Sequence, residues 1–133
     1  MAIQLSVAVR NSRLDSFETV CGASAVMKIF TGSPPASCAA ADSGTTLATA
    51  NLPSDWMAAA SGGTKAKSGT WEDLSADNTG TAGHFRIYDT GVTTCHMQGT
   101  VGTSGTDMIV NSVSFTATQA FTVNTFTLTD GNA

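Results

Sequence analysis

The chain has 133 residues, a mass of 13.5 kDa and a formal charge of −4, which is the length of one domain. At that mass a compact fold exposes ~6,500 Å² against ~19,600 Å² unfolded, so a core forms without metals or disulfides. Thr, Ala, Ser and Gly make up half of the residues, while Leu, Ile, Val and Phe number 25, a level bordering on the disordered class. Disorder also demands high net charge, and with 12% charged residues the composition reads instead as a Thr-rich β domain. Six basic residues against ten acidic ones, with a pI near 4.7, exclude the clustered cations that nucleic acid requires. No run of 18 apolar residues occurs, which excludes a membrane-spanning helix.

Met1 to Val9 has neither a basic leading region nor a long apolar stretch, so no signal peptide is expected. Within it Ile3, Leu5, Val7 and Val9 alternate with Gln4, Ser6 and Ala8, and that period of two predicts a half-buried strand. Asn11 or Ser12 then offers an N-cap, and Leu14, Phe17 and Cys21 follow at helical spacing before Gly22. With Asp15 in the first turn, this predicts a short helix from Ser12 to Cys21. Val26 to Phe30 reads as a strand stopped by Gly32-Ser33-Pro34-Pro35. Pro35 to Ser43 reads as irregular loop, and Thr45 to Leu52 as the next strand, closed by Pro53. Ser54 to Ala60 suits one or two helical turns ended by Gly62-Gly63. Lys65 to Trp71 reads as a strand, and Asp77-Asn78-Thr79-Gly80 as a turn.

Gly83 to Val101 is a hairpin, with Phe85 and Ile87 on one face of its first arm and Cys95, Met97 and Val101 alternating along the second. A three-residue loop, Thr90-Gly91-Val92, sets Ile87 opposite Cys95 and Phe85 opposite Met97, with Gly91 left-handed in a bulged turn. Further on, Ile109, Val113 and Phe115 share a face, as do Phe121 and Val123, whereas Phe126 and Leu128 fall on the opposite phase. Either a bulge lies near Asn124-Thr125 or the last strand is covered on both sides. These segments predict one all-β domain over residues 1–133, a jelly-roll-like β-sandwich (23–133) preceded by a strand-and-helix arm (1–22). Its expected core is Met27, Ile29, Leu47, Phe85, Ile87, Met97, Ile109, Val113, Phe115, Phe121 and Val123.

Chemistry-bearing residues are few and scattered. Glu72 and Asp73 are adjacent, and neighbours in a strand point to opposite faces. Arg86 and His96, with Tyr88 and Gln98 beside them, share a hairpin face but bring no carboxylate or nucleophile, so that face is read as solvent or interface. His84 and His96 lack a third metal ligand, and Cys21, Cys38 and Cys95 stand at wide spacings with no CxxC pair. Three free thiols in a reducing compartment are therefore expected, with one disulfide as the alternative, and no structural zinc. Lys65-Ala66-Lys67 is too short for a nucleic-acid patch, and Gly62-Gly63-Thr64 lacks the spacing of a phosphate loop. Trp56 and Met57 place large apolar groups in a predicted surface turn, which more often marks binding than catalysis.

The segments Leu52 to Met57, Gly62-Gly63-Thr64-Lys65-Ala66-Lys67-Ser68-Gly69-Thr70-Trp71 and Gly83-His84-Phe85-Arg86-Ile87-Tyr88-Asp89 resemble a family of small virion proteins of tailed bacteriophages and prophages. Val9-Arg10-Asn11-Ser12-Arg13-Leu14-Asp15 and Thr94-Cys95-His96 extend the resemblance over most of the chain. The family is similar to capsid decoration, or cement, proteins, some of them jelly rolls, which bind the outside of an icosahedral head. The resemblance implies a non-enzymatic structural protein made in the host bacterial cytoplasm and carried on the outer surface of the virion. Its implied partners are the major capsid protein and further copies of itself, a dimer foremost, with no catalytic residue, cofactor, metal, nucleic acid or membrane involved. The expected contacts are Ile3, Leu5, Val7 and Val9 together with Trp56 and Met57, rimmed by Arg86 and His96. A Thr-rich surface can make such contacts without immobilising long side chains. The alternatives are a tail or neck adaptor or fibre-associated component and, more remotely, a carbohydrate-binding module that presents tryptophan.

Overall fold

A computed structural model describes residues 3–131 of the chain. Helix α1 (Val7–Cys21) leads into β1 (Val26–Thr31), β2 (Thr46–Asn51), β3 (Thr64–Ala66), β4 (Glu72–Asp73) and β5 (Gly80–Tyr88). The chain continues through β6 (Cys95–Gly102), β7 (Met108–Val110), β8 (Ser114–Phe115) and β9 (Phe121–Thr129). The strands form one sheet in the order β2-β1-β5-β6-β7-β9-β3, with β4 on β9 and β8 on β5. Only the β6–β7 pairing is parallel among those described. The sheet curls into an open half-barrel, so the expected all-β, jelly-roll-like fold with a short N-terminal helix is borne out.

The inner face is built by register. Ile29 lies between Phe85 and Ala48, and Met27 between Ile87 and Ala50, all fully or almost fully buried. Rings then step from helix to sheet: Phe17 to Trp56, Trp56 to Trp71, Trp71 to Phe126 and Phe126 to Phe85, with centroids 5.4–5.7 Å apart. The accessible surface of 6581 Å² matches the ~6,500 Å² of a compact monomer of this mass.

The bulge anticipated in the last strand is present at Asn124. Ile109 pairs Thr125 while Val110 pairs Val123, so Asn124 is the extra residue and Phe121, Val123 and Phe126 all turn inward. On β7 the inward residues are Met108 and Val110, and Ile109 is only half-buried, the reverse of the expected phase. The parallel start of β7 beside Val101 and Gly102 fixes that phase, and no local signal carries it.

Four other expectations are corrected. Ile3 to Val9 is not a strand: α1 begins at Val7, where the Ser6 hydroxyl accepts the Val9 N–H at 3.2 Å. A side-chain cap on an otherwise orphaned amide outweighs a period of two that has no neighbouring strand to pair with. Met1 and Ala2, the rest of that expected arm, lie outside the described residues. Residues 54–60 are not helical, because Trp56, Met57 and Ala58 pair with residues 66–68 through Ser68 N–H to Trp56 O and Ala58 N–H to Ala66 O. Of the expected strand from Lys65 to Trp71 only Lys65 and Ala66 are strand, in β3, and Lys67 bridges Met57; β4 begins after Trp71, and both β3 and β4 lie along β9. Finally, the hairpin register is two residues from that expected, with Ile87 opposite Met97 and Phe85 opposite Gly99. The Asp89 carboxylate gathers the N–H groups of Thr93 and Thr94 into a longer turn, and Val92, not Gly91, takes the left-handed conformation, with φ 54°.

Two measurements check this account. Deleting Asn124 forces either Phe121 and Val123 or Phe126 and Leu128 to the outer face, and should cost more than about 3 kcal/mol in urea unfolding; a cost under about 1 kcal/mol would show that the bulge does not set the face. Val92→Gly relieves a β-branched residue at positive φ and should raise stability by roughly 1 kcal/mol.

Candidate functional site

The connection between β1 and β2 folds back over the outer face of the sheet and encloses Arg86, whose side chain is 1% exposed. Arg86 Nη2 donates to the carbonyls of Cys38 (2.8 Å) and Ala40 (3.0 Å), and Nη1 donates to Asp42 at 2.5 Å. Its Nε donates to Cys95 Sγ at 3.2 Å, and the Tyr88 hydroxyl donates to the same Asp42 oxygen. Burial opposes the charge of Arg86, but its bonds to Cys95 and Asp42 more than restore it, leaving its pKa raised. Burial and the Asp42 carboxylate push the Tyr88 pKa upward as well. The loop approaches closest at Gly83, where a Cβ would stand 2.1 Å from the Gly32 carbonyl oxygen. Next to it His84, fully buried and stacked on Phe30, holds that carbonyl through Nδ1 at 2.9 Å.

On the other side, α1 is fastened by a second buried cation. Lys65 Nζ donates to Asp15 (2.7 Å), Glu18 (2.9 Å) and the Ala58 carbonyl (2.9 Å), and the lysine side chain is 2% exposed. Asp15 also accepts the Ala60 N–H, and Asn11 accepts the Gly63 N–H, both at 2.9 Å. The bond from Lys65, helped by that from Ala60, holds the Asp15 carboxyl below the usual carboxylate range. Burial acts against the lysine charge, and the two carboxylates outweigh it, so the Lys65 pKa is raised. All three ammonium hydrogens are engaged, which leaves this lysine no free role as nucleophile or base.

The site residues read from the sequence separate into two groups. Ile3, Val7 and Val9 are exposed and Leu5 is half-buried. Trp56 and Met57, expected in an exposed turn, are 0% and 1% exposed. Trp56 Nε1 donates to Gly22 O and its carbonyl accepts from Trp71 Nε1, each at 3.0 Å, so the ring serves the core and not a surface. Arg86 is likewise no rim residue. His96 occupies the bulge opposite Ile87 and Tyr88 and is half-buried, near Asp89, whose carboxyl is held below the usual carboxylate range chiefly by its hydrogen bonds from Thr93 and Thr94. Arg86 and His96 therefore do not form a pair.

Sequence reasoning missed both cations. Lys65 was legible only through Asn11, Asp15 and Glu18, a polar stripe at helical spacing that ordinarily faces water. Asp73, half of the adjacent carboxylate pair, accepts from Thr49 N–H at 2.9 Å and Ser75 N–H at 3.0 Å, while Glu72 stays exposed. Among the described residues, no three His, Cys, Asp or Glu side chains gather as a metal site. A groove of about 480 Å³ between residues of β6 and β9 is mainly polar, with Gln98, Thr106, Asp107, Thr127 and Thr129 beside Met97 and Leu128.

In comparisons with protein families, curated proteins and solved structures, nothing matches this chain significantly.

The Lys65 junction gives a graded prediction. Lys65→Ala should cost about 3 kcal/mol, because it strands two carboxylates and a carbonyl, whereas Arg13→Ala, which removes the exposed pair with Asp130, should cost under about 1 kcal/mol. With its folded pKa lowered, Asp15 contributes fully above the unfolded value of about 4, and the contribution is lost as pH falls through the folded value. Lys65, with its pKa raised, contributes fully below about 10.4 and loses that contribution as pH rises through the folded value. Acid unfolding of Asp15→Asn should therefore be shallower than that of the wild type; equal slopes would remove Asp15 from the junction.

Proposed function

We propose that this chain is a non-enzymatic structural protein of a tailed-bacteriophage virion, decorating the outer surface of the icosahedral head and stabilising it by bridging major capsid proteins. The observation that carries the reading is the outward side of α1 and the segment before it. Ile3, Val7, Val9 and Val20 are 85%, 47%, 45% and 66% exposed, while the polar residues Asn11, Asp15 and Glu18 of the same helix are turned inward. Single exposed aliphatics need no account, but Ile3, Val7 and Val9 stand close together in sequence before and at the start of α1, whose Asn11, Asp15 and Glu18 are engaged by the protein, and such a group suits an adhesive surface. The proposed contact surface keeps Ile3, Leu5, Val7, Val9 and His96 and adds Val20. Trp56, Met57 and Arg86 are left out because they are buried.

The resemblance to small phage virion proteins supplies the partner class, and the Thr-rich, weakly charged exterior supports it. A subunit that bridges capsomers stabilises the shell by its binding free energy for the assembled state. A homo-oligomer, with a dimer foremost, multiplies weak contacts through effective concentration. A neck or tail component would use the same surface. A glycan-binding module loses its motive, since both tryptophans are buried.

The test compares heads heated with and without the protein. Decorated heads should release DNA at a higher temperature, and the Val9→Asp/Val20→Asp double variant should bind heads less while its own melting stays within about 0.5 kcal/mol per site of the wild type. Release at one temperature in both samples, or labelling of tails in place of heads, would overturn the reading.

A further inference from the structure

We propose that Cys38 and Cys95 form a dithiol site that takes a low-molecular-weight disulfide as oxidant and closes into an intramolecular disulfide. All three cysteines carry free thiols in the structure, but two of them share one environment. Cys38 and Cys95 line the same hollow of about 260 Å³, together with Asp42, Arg86 and Tyr88. One guanidinium holds both residues, through the Cys38 carbonyl and the Cys95 sulfur. Each is half-buried, whereas Cys21 is 3% exposed within the core. Among the three possible pairs, this one combines proximity with access.

The chemistry balances as two successive exchanges. The Cys38 thiol loses its proton to solvent and its sulfur attacks one sulfur of the external disulfide, whose S–S bond breaks and releases one small thiolate. Cys95 then loses its proton and attacks the Cys38 sulfur, forming the internal bond and expelling the second small thiolate. The protein gives up two electrons and two protons, and the oxidant becomes two thiols. Arg86 stands ready to stabilise the Cys95 thiolate through Nε. Burial and the neighbouring Cys38 nonetheless push the Cys95 thiol up to about 11. At neutral pH the second exchange is therefore slow, and it should quicken about tenfold per pH unit. Once closed, the bond ties the β1–β2 connection to β6, across a long stretch of sequence.

The experiment treats the full chain with oxidised glutathione and digests it with trypsin without reduction. Cleavage after Lys28, Lys65 and Arg86 puts Cys21, Cys38 and Cys95 on separate peptides. The expected product joins residues 29–65 to residues 87–133, two hydrogens lighter than their sum, and leaves the Cys21 peptide unlinked. Closure should raise the thermal midpoint by roughly 5–15 °C. Cys38→Ser, a loop substitution, should show neither the link nor the shift. A glutathione adduct on Cys38 that never resolves, a link through Cys21, covalent dimers, or three thiols still free would each overturn the proposal.

Discussion

The ammonium of Lys65 joins the one helix of the described residues to the sheet, and most of the architecture on that side follows from it. A chain with 25 Leu, Ile, Val and Phe residues has enough apolar volume to fill the inside of a curled sheet and little left to coat the outside. Leu14, Phe17 and Cys21 give α1 a thin apolar seat. The helix is located by Asn11, Asp15 and Glu18, whose partners are Gly63, Ala60, Met57 and Lys65. Burying a lysine offsets much of what its ion pairs return, so the net stabilisation is modest, whereas loss of one partner is severe. Such a junction specifies position more than it adds stability. Arg86 does the same on the opposite side, pinning the β1–β2 connection over the sheet by bonds that no aliphatic could replace.

Several of the acidic residues have a structural occupation. The half-barrel leaves β2 as an edge, and exposed edges invite pairing with other chains. Here the edge is answered by side chains: Asp73 takes the Thr49 N–H, Asp77 takes the Thr49 hydroxyl, and the Asp77 N–H reaches the Leu47 carbonyl. Asn78 adds a bond to the Thr46 carbonyl at 2.8 Å. Asp107 caps the Thr100 N–H on β6 in the same way, and Asp89 closes the hairpin turn. Each carboxylate stands where a neighbouring strand would otherwise supply the partner, so the open sheet is finished by side chains.

Legibility followed the range of the interactions. β1 and β2 were readable from apolar runs stopped by Gly and Pro, and the inner face of the first hairpin arm from the alternation of Phe85 and Ile87. The outer face of that arm, with His84 and Arg86, is buried by a connection that no alternation reveals. The Asn124 bulge was readable because Phe126 and Leu128 break phase with Phe121 and Val123 in a segment too apolar to expose either set. What escaped depends on partners remote in sequence. Lys65 meets Asp15 fifty positions away and Arg86 meets Asp42 across forty-four, and nothing local distinguishes either from a solvated cation. Trp56 and Met57 looked like a surface turn because the strand they pair with, and the helix that covers them, lie outside any short window. The Ser6 cap lost to alternation for a similar reason: Val7 and Val9 fit a strand locally, and it is the cap together with the docking of Asn11, Asp15 and Glu18 that decides for the helix.

That docking also governs what is left for a partner. A helix held from within by hydrogen bonds needs no aliphatic residues on its inner side beyond a few, and this one carries Val9 and Val20 on the outside instead. Around them the exterior is mainly Thr, Ser and Ala, side chains with little rotamer freedom to lose on contact. Ordering such a surface costs little, so modest contact area can yield useful affinity. The core need not rearrange to receive a partner, because the outward valines take no part in the ring series from Phe17 to Phe85. The packing contacts of α1 and its exposed Val9 and Val20 thereby lie on different sides of the helix, the separation that the proposed coating role requires.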